Sequence, residues 1–334
     1  MSNTPLYTDK LAIGYRSKKK PQILHRNLAL SLNKGELNCI LGPNGAGKST
    51  LIKTLAGFKE SLEGEVYVMN KPRKDQSFRS LSHLLSVVLT DRIQIPHTRV
   101  IDIVSMGRYP YTSILARFSK EDQRMVLHAL EQAGIKEMRN RYFDEISDGE
   151  KQKVMIAKAL AQNTPVIILD EPTAFLDFPS KIEVMQILLC LAKDTDKSIL
   201  MSTHDVELAL QVADKIWLMD KGKAIRTGAP EDLVLDNALN QFFEKDYIYF
   251  DENTGTFLMK NKNEALIKTS GSQPYLFWVN KALNRVGFNT TDTGSANIHV
   301  EINGKSDILL ISSNKMKTKF FTIEELVNFL KKNS

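Results

Sequence analysis

The first stretch of this chain that could do chemistry is a glycine-rich run ending in a basic and two hydroxyl residues: Gly42, Pro43, Asn44, Gly45, Ala46, Gly47, Lys48, Ser49 and Thr50. Gly-x-x-x-x-Gly-Lys-Ser is a phosphate-binding loop pattern, in which glycines let backbone N–H groups turn inward on an anion. A helix starting there would add the positive end of its dipole. The Lys48 ammonium can reach terminal phosphates, and the Ser49 hydroxyl can reach a Mg²⁺ ion. The flanks agree. Leu37–Leu41 reads as a short apolar strand entering the loop, and Leu51, Ile52 and Leu55 as the inner face of the helix leaving it. A glycine turn that merely opened a buried helix would not require Lys and Ser at those two places.

A partner for such a loop lies far downstream. Pro165–Glu171 reads PVIILDE, four apolar residues of a buried parallel strand ending in Asp170 and Glu171. Open parallel sheets bind ligands beyond the carboxyl ends of their strands, so both carboxylates are expected to face the loop. Asp170 can hold Mg²⁺ directly or through water, and Glu171 can polarise a water for attack on a terminal phosphate. His204 follows another apolar strand, Ile199-Leu200-Met201. Residues 149–162 suit a helix, with Val154, Ala157, Leu160 and Ala161 on one face. Ser147 is then a candidate N-cap whose hydroxyl, with nearby N–H groups, can present donors to an anion.

The elements that must position these groups come from 334 residues, enough for about two domains with a sizeable core in the larger. Hydrophobic residues make up 42% and charged residues 25%, which excludes a mostly disordered chain, a collagen-like one and a coiled-coil rod. No apolar run reaches the roughly 18 residues of a membrane span. Met1–Asp9 is polar and shows no apolar signal segment. Cys39 and Cys190 lack neighbours at metal-ligand spacing and read as two buried, reduced thiols. The net charge is +6, and the one dense basic run, Lys18–Lys20, reads as a solvated turn. Without an aromatic-interleaved basic stripe, no nucleic-acid partner is expected.

Three further segments carry a family resemblance. Ile146-Ser147-Asp148-Gly149-Glu150, followed by KQKVMIAKALAQ, resembles the signature motif of ATP-binding cassette (ABC) ATPases. DEPTAFLD, Asp170–Asp177, resembles their Walker B motif and D-loop, and Ser202-Thr203-His204-Asp205 their switch histidine. The resemblance spans roughly residues 5–245. It implies an α/β fold, a P-loop nucleotide-binding cassette over 1–250 with a helical subdomain at about 91–145; the remainder, 251–334, reads from its own pattern as a small C-terminal α/β domain. The resemblance implies ATP and Mg²⁺ as cofactors, with Gly42 to Thr50 around the phosphates, Tyr15 stacked on adenine, and Ser49 and Asp170 on the metal. Glu171, His204 and Lys48 would be catalytic. Ser147, Gly149 and Glu150 would meet the ATP held by the opposite subunit of a head-to-tail homodimer, and Asp177 would make contacts across it.

Two departures from the family pattern stand out. Its usual glutamine after the strand at Leu85–Thr90 is replaced by Thr90, whose hydroxyl reaches less far; Gln94 could substitute only with a rearranged loop. Asp148 and Glu150 stand where Gly and Gln are commonest, and a carboxylate near a triphosphate costs binding by like-charge repulsion.

Ile101–Tyr111, IDIVSMGRYPY, with Arg117-Phe118 after it, resembles the corresponding region of importers for iron–siderophore complexes, haem and cobalamin. That resemblance implies an ATP-hydrolysing importer subunit at the cytoplasmic face of the inner (cell) membrane. Its partners would be two integral-membrane permease subunits and, indirectly, a substrate-binding protein. A soluble ATP-gated clamp for cluster assembly, DNA repair or translation is the alternative. A nucleotide-binding regulator with little hydrolysis is a third reading, resting on Thr90 alone.

Beyond residue 255 no motif is assignable. Strands are expected near Thr256–Met259, Ile298–Ile302 and Ile308–Ile311, and helices near Pro274–Val286 and Ile323–Lys331. Thr322 would cap the last helix with Glu325 three residues on, and Gly287 would close the earlier one. Phe277, Trp278, Phe320, Phe321 and Phe329 are candidates for its core. A regulatory sensor, a dimer brace and an inert appendage are all compatible with this pattern. From Asp251 onward 11 basic residues face 8 acidic ones, so the tail carries half of the net charge.

Overall fold

The computed structural model describes residues 4–16, 21–90, 96–112, 117–243, 247–252, 254–259, 265–294, 296–304, 306–312 and 316–333. Lys18–Lys20, Gln94 and the first residues of the expected helical subdomain lie outside the described residues. The chain divides into two compact units, Met1–Phe242 and Phe243–Ser334. The division falls ahead of the 250/251 boundary expected from sequence.

In the first unit the functional segments share one six-stranded sheet. Its order is Arg226–Gly228, Lys215–Leu218, Leu37–Leu41, Ser198–Thr203, Val166–Leu169 and Leu85–Val88. All neighbours are parallel except the edge pair Lys215–Leu218 with Arg226–Gly228. Leu37–Leu41, Val166–Leu169 and Ser198–Thr203 are buried along their whole length, as parallel strands covered on both faces must be. The register pairs Leu41 with Thr203, Leu169 with Met201 and Val88 with Leu169, so the residues that follow these strands emerge side by side at one edge.

A second, antiparallel sheet runs Gln22–Leu28, Leu6–Tyr15, Glu63–Val68, Lys71–Pro72, with Ser31–Leu32 also paired to Leu6–Tyr15. It shares a core with the helix Lys48–Leu55: Leu11, Ile13, Leu51, Ile52, Leu55, Val66 and Val68 are all buried in one cluster. Val100–Ser105, the tight turn Met106–Tyr111 and Lys120–Gln132 form the helical portion, packed on Asp148–Ala161. Cys39 is buried, but Cys190 is exposed. On Phe178–Thr195 the inward positions are Val184, Met185, Leu188, Leu191 and Ala192, and a 3.6-residue period turns position 190 outward.

The second unit holds a hairpin, Ile248–Asp251 with Thr256–Met259, and a five-stranded sheet. The sheet order is Asn289–Thr291, Leu266–Gly271, Ile298–Gly304, Asp307–Ser312, Lys317–Phe320, parallel across the first three strands and antiparallel across the last two pairs. Helices Tyr275–Arg285 and Ile323–Asn333 contribute Val279, Leu283, Leu326 and Leu330 to a core shared with Ile267, Val300, Ile302, Ile308 and Leu310. Glu325 N–H donates to Thr322 Oγ1 at 3.1 Å, as the capping pattern predicts, and Gly287 is left-handed at φ 97°.

The aromatic core expected here is only partly right. Phe320 is buried, whereas Phe277, Trp278, Phe321 and Phe329 are exposed. The aliphatic spacing Val279, Ala282, Leu283 takes the inner face of its helix and leaves Phe277 and Trp278 outside, in edge contact with each other. Phe321 is adjacent to inward-facing Phe320 and takes the opposite direction. Among the described residues no helix is long and apolar enough to cross a membrane.

Candidate functional site

The phosphate loop connects the buried strand Leu37–Leu41 to the helix Lys48–Leu55, whose N-cap Gly47 sits at φ 102°, a conformation that only glycine adopts cheaply. His25, buried on the strand Gln22–Leu28 of the antiparallel sheet, has Nε2 2.9 Å from the Ala46 carbonyl and so ties the loop to that sheet. Lys48 is buried; its Nζ donates to the carbonyls of Gly42 at 2.7 Å and Pro43 at 3.3 Å. Burial pushes the Lys48 pKa below the usual lysine range, against the opposing pull of Glu171 and Asp170. Ser49 is exposed, while Thr50 is buried with its Oγ1 3.1 Å from the Tyr15 hydroxyl. That bond holds the Tyr15 ring, 49% exposed, at the loop, with Lys59 Nζ 3.5 Å above its centre.

The two carboxylates come off the strand two places from the loop strand, as the register requires. Asp170 is buried, and its Oδ1 accepts from Ser202 Oγ at 2.7 Å. The same Ser202 oxygen accepts the Glu171 N–H at 2.9 Å. Glu171 has φ 48°, a left-handed backbone costing a non-glycine residue about 1 kcal/mol, which persists because surrounding bonds over-determine it. Its carboxylate lies between Lys48 and His204: Oε1 is 3.8 Å from Lys48 Nζ and Oε2 is 3.8 Å from His204 Nδ1. Lys48, Asp170, Glu171 and His204 are thus brought into one row at the strand ends. Thr90, expected at the end of the neighbouring strand, donates its hydroxyl to the Asp170 backbone carbonyl at 2.7 Å.

The signature segment is built differently. Ser147 is the N-cap of Asp148–Ala161, and Ser147 with Glu150 forms a reciprocal capping box: Glu150 N–H donates to Ser147 Oγ at 3.2 Å, Ser147 N–H to Glu150 Oε2 at 2.8 Å. The bond from the Ser147 backbone holds the Glu150 carboxyl below its usual pKa; burial opposes this, and the Ser147 hydroxyl, Arg141 and Lys153 add to it. A Cβ at Gly149 would come within 2.8 Å of Ser180 Oγ, so a side chain there would have to displace the Ser180 hydroxyl.

Asp177 caps the helix Phe178–Thr195 by accepting from the Ser180 N–H at 3.2 Å. Hydrogen bonds from Ser180 hold its carboxyl below the usual range. Among the described residues, no hydrogen bond or ion pair links Ser147, Gly149, Glu150 or Asp177 to the loop of the same chain.

Sequence reading passed over three supporting residues. Ser202 was read only as part of the stretch before His204; the signal for its role was a lone hydroxyl at the end of an apolar strand. His25 carries no local signal, since its partner lies far along the chain, and Ser180, whose N–H meets nearby Asp177, approaches Gly149 only through the fold. The residues present fit a magnesium ion in character: a buried carboxylate with one oxygen held, and an exposed hydroxyl after the loop lysine. Mg²⁺ is usually bound by one or two such groups together with phosphate oxygens and water, so a larger cage is not needed.

Loop, strand-end carboxylates and helical insertion on a parallel sheet define a P-loop ATPase cassette. Residues 25–174 match the ABC transporter family, and residues 264–331 match the iron ABC transporter C-terminal domain. An uncharacterised ABC transporter ATP-binding protein of Methanocaldococcus jannaschii is 37% identical over 269 residues, 80% of this chain and 91% of the relative. Iron(3+)-hydroxamate import ATP-binding protein FhuC of Bacillus subtilis is 33% identical over 72% of this chain and 88% of its own length. Achromobactin transport ATP-binding protein CbrD of Dickeya dadantii is 37% identical over 71% and 86%.

Among solved structures, a dimeric bacterial ABC transporter cassette superposes with TM-score 0.59 at 26% identity, over 67% of this chain and 98% of its own. The match to a transporter described as of metal-chelate type, in an inward-facing conformation, has TM-score 0.65 at 26% identity, over 78% and 99%. The chain belongs to the ABC transporter ATP-binding proteins, ATPases that couple ATP hydrolysis to transport across a membrane. The match over 264–331 also assigns a family to the tail, where sequence reading found no motif.

Proposed function

We propose that this chain is the ATP-hydrolysing subunit of an importer for iron complexes, with ferric siderophores as its cargo class rather than haem or cobalamin. The observation that carries the cargo class is the match of residues 264–331 to the iron ABC transporter C-terminal domain. Relatives named for iron(3+)-hydroxamate import, achromobactin transport and ferric enterobactin transport support it. A soluble clamp would share the ATP site but has no evident use for a tail of the iron-transport type.

In this reading the amides of Gly42, Pro43, Asn44, Gly45, Ala46 and Gly47, with Lys48, Ser49 and Thr50, enclose the phosphates, and Tyr15 stacks on the base. Lys48 exchanges its two carbonyl acceptors for phosphate oxygens. Ser49 and Asp170 would hold Mg²⁺, which when bound supplies neutralisation of phosphate charge. Glu171, already in the reach of Lys48 and His204, orients and polarises the attacking water, and His204 steadies that water against the terminal phosphate. Thr90 supports the Asp170 backbone, so the glutamine-loop position acts through the strand end rather than by direct reach.

Ser147 and Gly149 of a second copy complete the site from the other side, with Glu150 fixing the Ser147 geometry and Asp177 near the contact. The working unit is therefore a homodimer on two permease subunits at the cytoplasmic face of the membrane, fed by a substrate-binding protein. The test is uptake in a strain lacking this chain, with iron offered as ferric hydroxamate, ferric catecholate and haem, and cobalamin in parallel. Restored ferric siderophore uptake by the natural chain, lost with Glu171→Gln, is the expected result. Restoration of cobalamin or haem uptake alone overturns the cargo assignment.

A further inference from the structure

The turn over Met106–Tyr111 takes no part in the ATP chemistry above, yet its Arg108 and Tyr111 side chains are tied into the fold by hydrogen bonds. Arg108 is only 6% exposed. Its Nε donates to Asp122 Oδ1 at 2.9 Å, its Nη1 to the Ala161 carbonyl at 2.9 Å, and its guanidinium carbon stacks 3.8 Å from the centre of the Tyr111 ring. Asp122, also buried, accepts from the N–H and hydroxyl of Ser119 through its other oxygen at 2.9 and 2.7 Å. Tyr111 donates its hydroxyl to the Gln162 carbonyl at 2.9 Å. The Gln162 amide passes the connection on, donating to the carbonyls of Ser82 at 2.6 Å and Leu85 at 3.1 Å. Gly107 lies so close to the last turn of Asp148–Ala161 that a Cβ would strike the Lys158 carbonyl and stand 3.1 Å from the Ala161 Cβ.

The carbonyls of Ala161 and Gln162 belong to the helix end that cannot satisfy its own acceptors and where a cation is favoured. The helix that begins at the signature residue Ser147 is therefore clasped at its far end. One arm of the clasp reaches the helix Lys120–Gln132, the other the start of the strand that leads to Thr90. We infer that this turn is the joint that sets the orientation of the signature helix, with Arg108 as a positioning residue for Ser147 and Gly149. The helix has 14 residues and so is about 21 Å long, which converts a small rotation at Ala161 into a displacement at Ser147. The inference rests on the proposed meeting of Ser147 and Gly149 with a second copy's ATP.

The test uses the full chain carrying Glu171→Gln, with ATP-driven dimerisation followed by light scattering, nucleotide binding measured separately, and unfolding temperature recorded. Arg108→Met with Asp122→Leu removes the clasp without leaving a buried carboxylate unpaired, which protects folding. We expect the unfolding temperature to fall, because the Ser119 capping partner and the donor to Ala161 are also lost, and ATP affinity to stay near the parent's, while dimerisation of the folded protein weakens by about tenfold or more. Arg108→Lys, which keeps the charge but not the two-pronged geometry, falls in between. Tyr111→Phe, removing one hydroxyl, weakens dimerisation by a few fold in the same direction.

A merely structural Arg108 would lower the unfolding temperature and leave dimerisation of the folded protein unchanged. Parent-like dimerisation in both the double variant and Tyr111→Phe overturns the inference while the site reading stands. If the Glu171→Gln parent itself forms no ATP-dependent dimer, the site reading falls first and the joint's role falls with it.

Discussion

Around Lys48, Asp170, Glu171 and His204 the chain supplies most of the partners its polar groups need, and three neighbouring strand ends hold them in a row. At Ser147 the opposite holds: the exposed cap is closed on its own Glu150, and among the described residues no hydrogen bond or ion pair joins Ser147 to the loop. On the proposed reading such a site takes up nucleotide within one copy and is completed by Ser147 and Gly149 of a second copy. Binding and hydrolysis should thus separate under mutation, binding following the buried row and hydrolysis needing both halves.

The sharpest way to break that separation is Glu171→Gln. Steady-state phosphate release should fall by about 10²–10⁴-fold, the range lost with a general base, while ATP titration of the same protein still saturates. Loss of both together would mean that Glu171 belongs to the binding half. Ser202→Ala should act on the buried row as a whole. Asp170 Oδ1 loses its donor and the left-handed Glu171 amide its acceptor, a loss of about 1–3 kcal/mol visible as a lower unfolding temperature, with reduced turnover.

On the exposed half, Ser147→Ala should cost about 1 kcal/mol through the lost cap. ATP binding by the monomer should be unaffected while turnover becomes weaker at low protein concentration, where dimers are scarce. Equal turnover at all concentrations would erase the contrast.

The smallest expected effect is on pH dependence. The folded chain holds the Glu150 carboxyl below its unfolded pKa, so the ionised form stabilises the fold above the ordinary glutamate range. That contribution disappears as pH falls through the lowered folded value. Glu150→Gln should therefore lower the unfolding temperature slightly at neutral pH, and the gap to the natural chain should close in acid. A gap that widens in acid would show that Glu150 is not held in the capping box.

The loop, the strand–carboxylate pair and the Ser147 cap were legible because each is encoded within a few consecutive residues, where backbone periodicity alone decides which side chains share a face. The same held for the helix faces at Leu51, Ile52 and Leu55 and at Val154, Ala157 and Leu160, all buried as expected. In the C-terminal unit, reading failed at the aromatics. Hydrophobicity marked Phe277 and Trp278 for a core, but the spacing of Val279, Ala282 and Leu283 takes the inner face of that helix. Cys190 is exposed for a related reason: its place on the helix Phe178–Thr195, not its residue type, decides which side it faces.

By itself, then, the amino-acid sequence determined that this protein is a P-loop ATPase cassette and pointed to a loop, a lysine and two carboxylates as its phosphate groups, because those groups are local and their spacing is chemical. What only the tertiary structure decided is how they are held. Ser202 bridging Asp170 and Glu171, His25 under the loop, Ser180 against Gly149, and Arg108 clasping Asp122 and Ala161 all join segments distant in the chain. These contacts follow from which strands are neighbours and in what register, and that is settled by burial of the whole sheet rather than by any short stretch of residues.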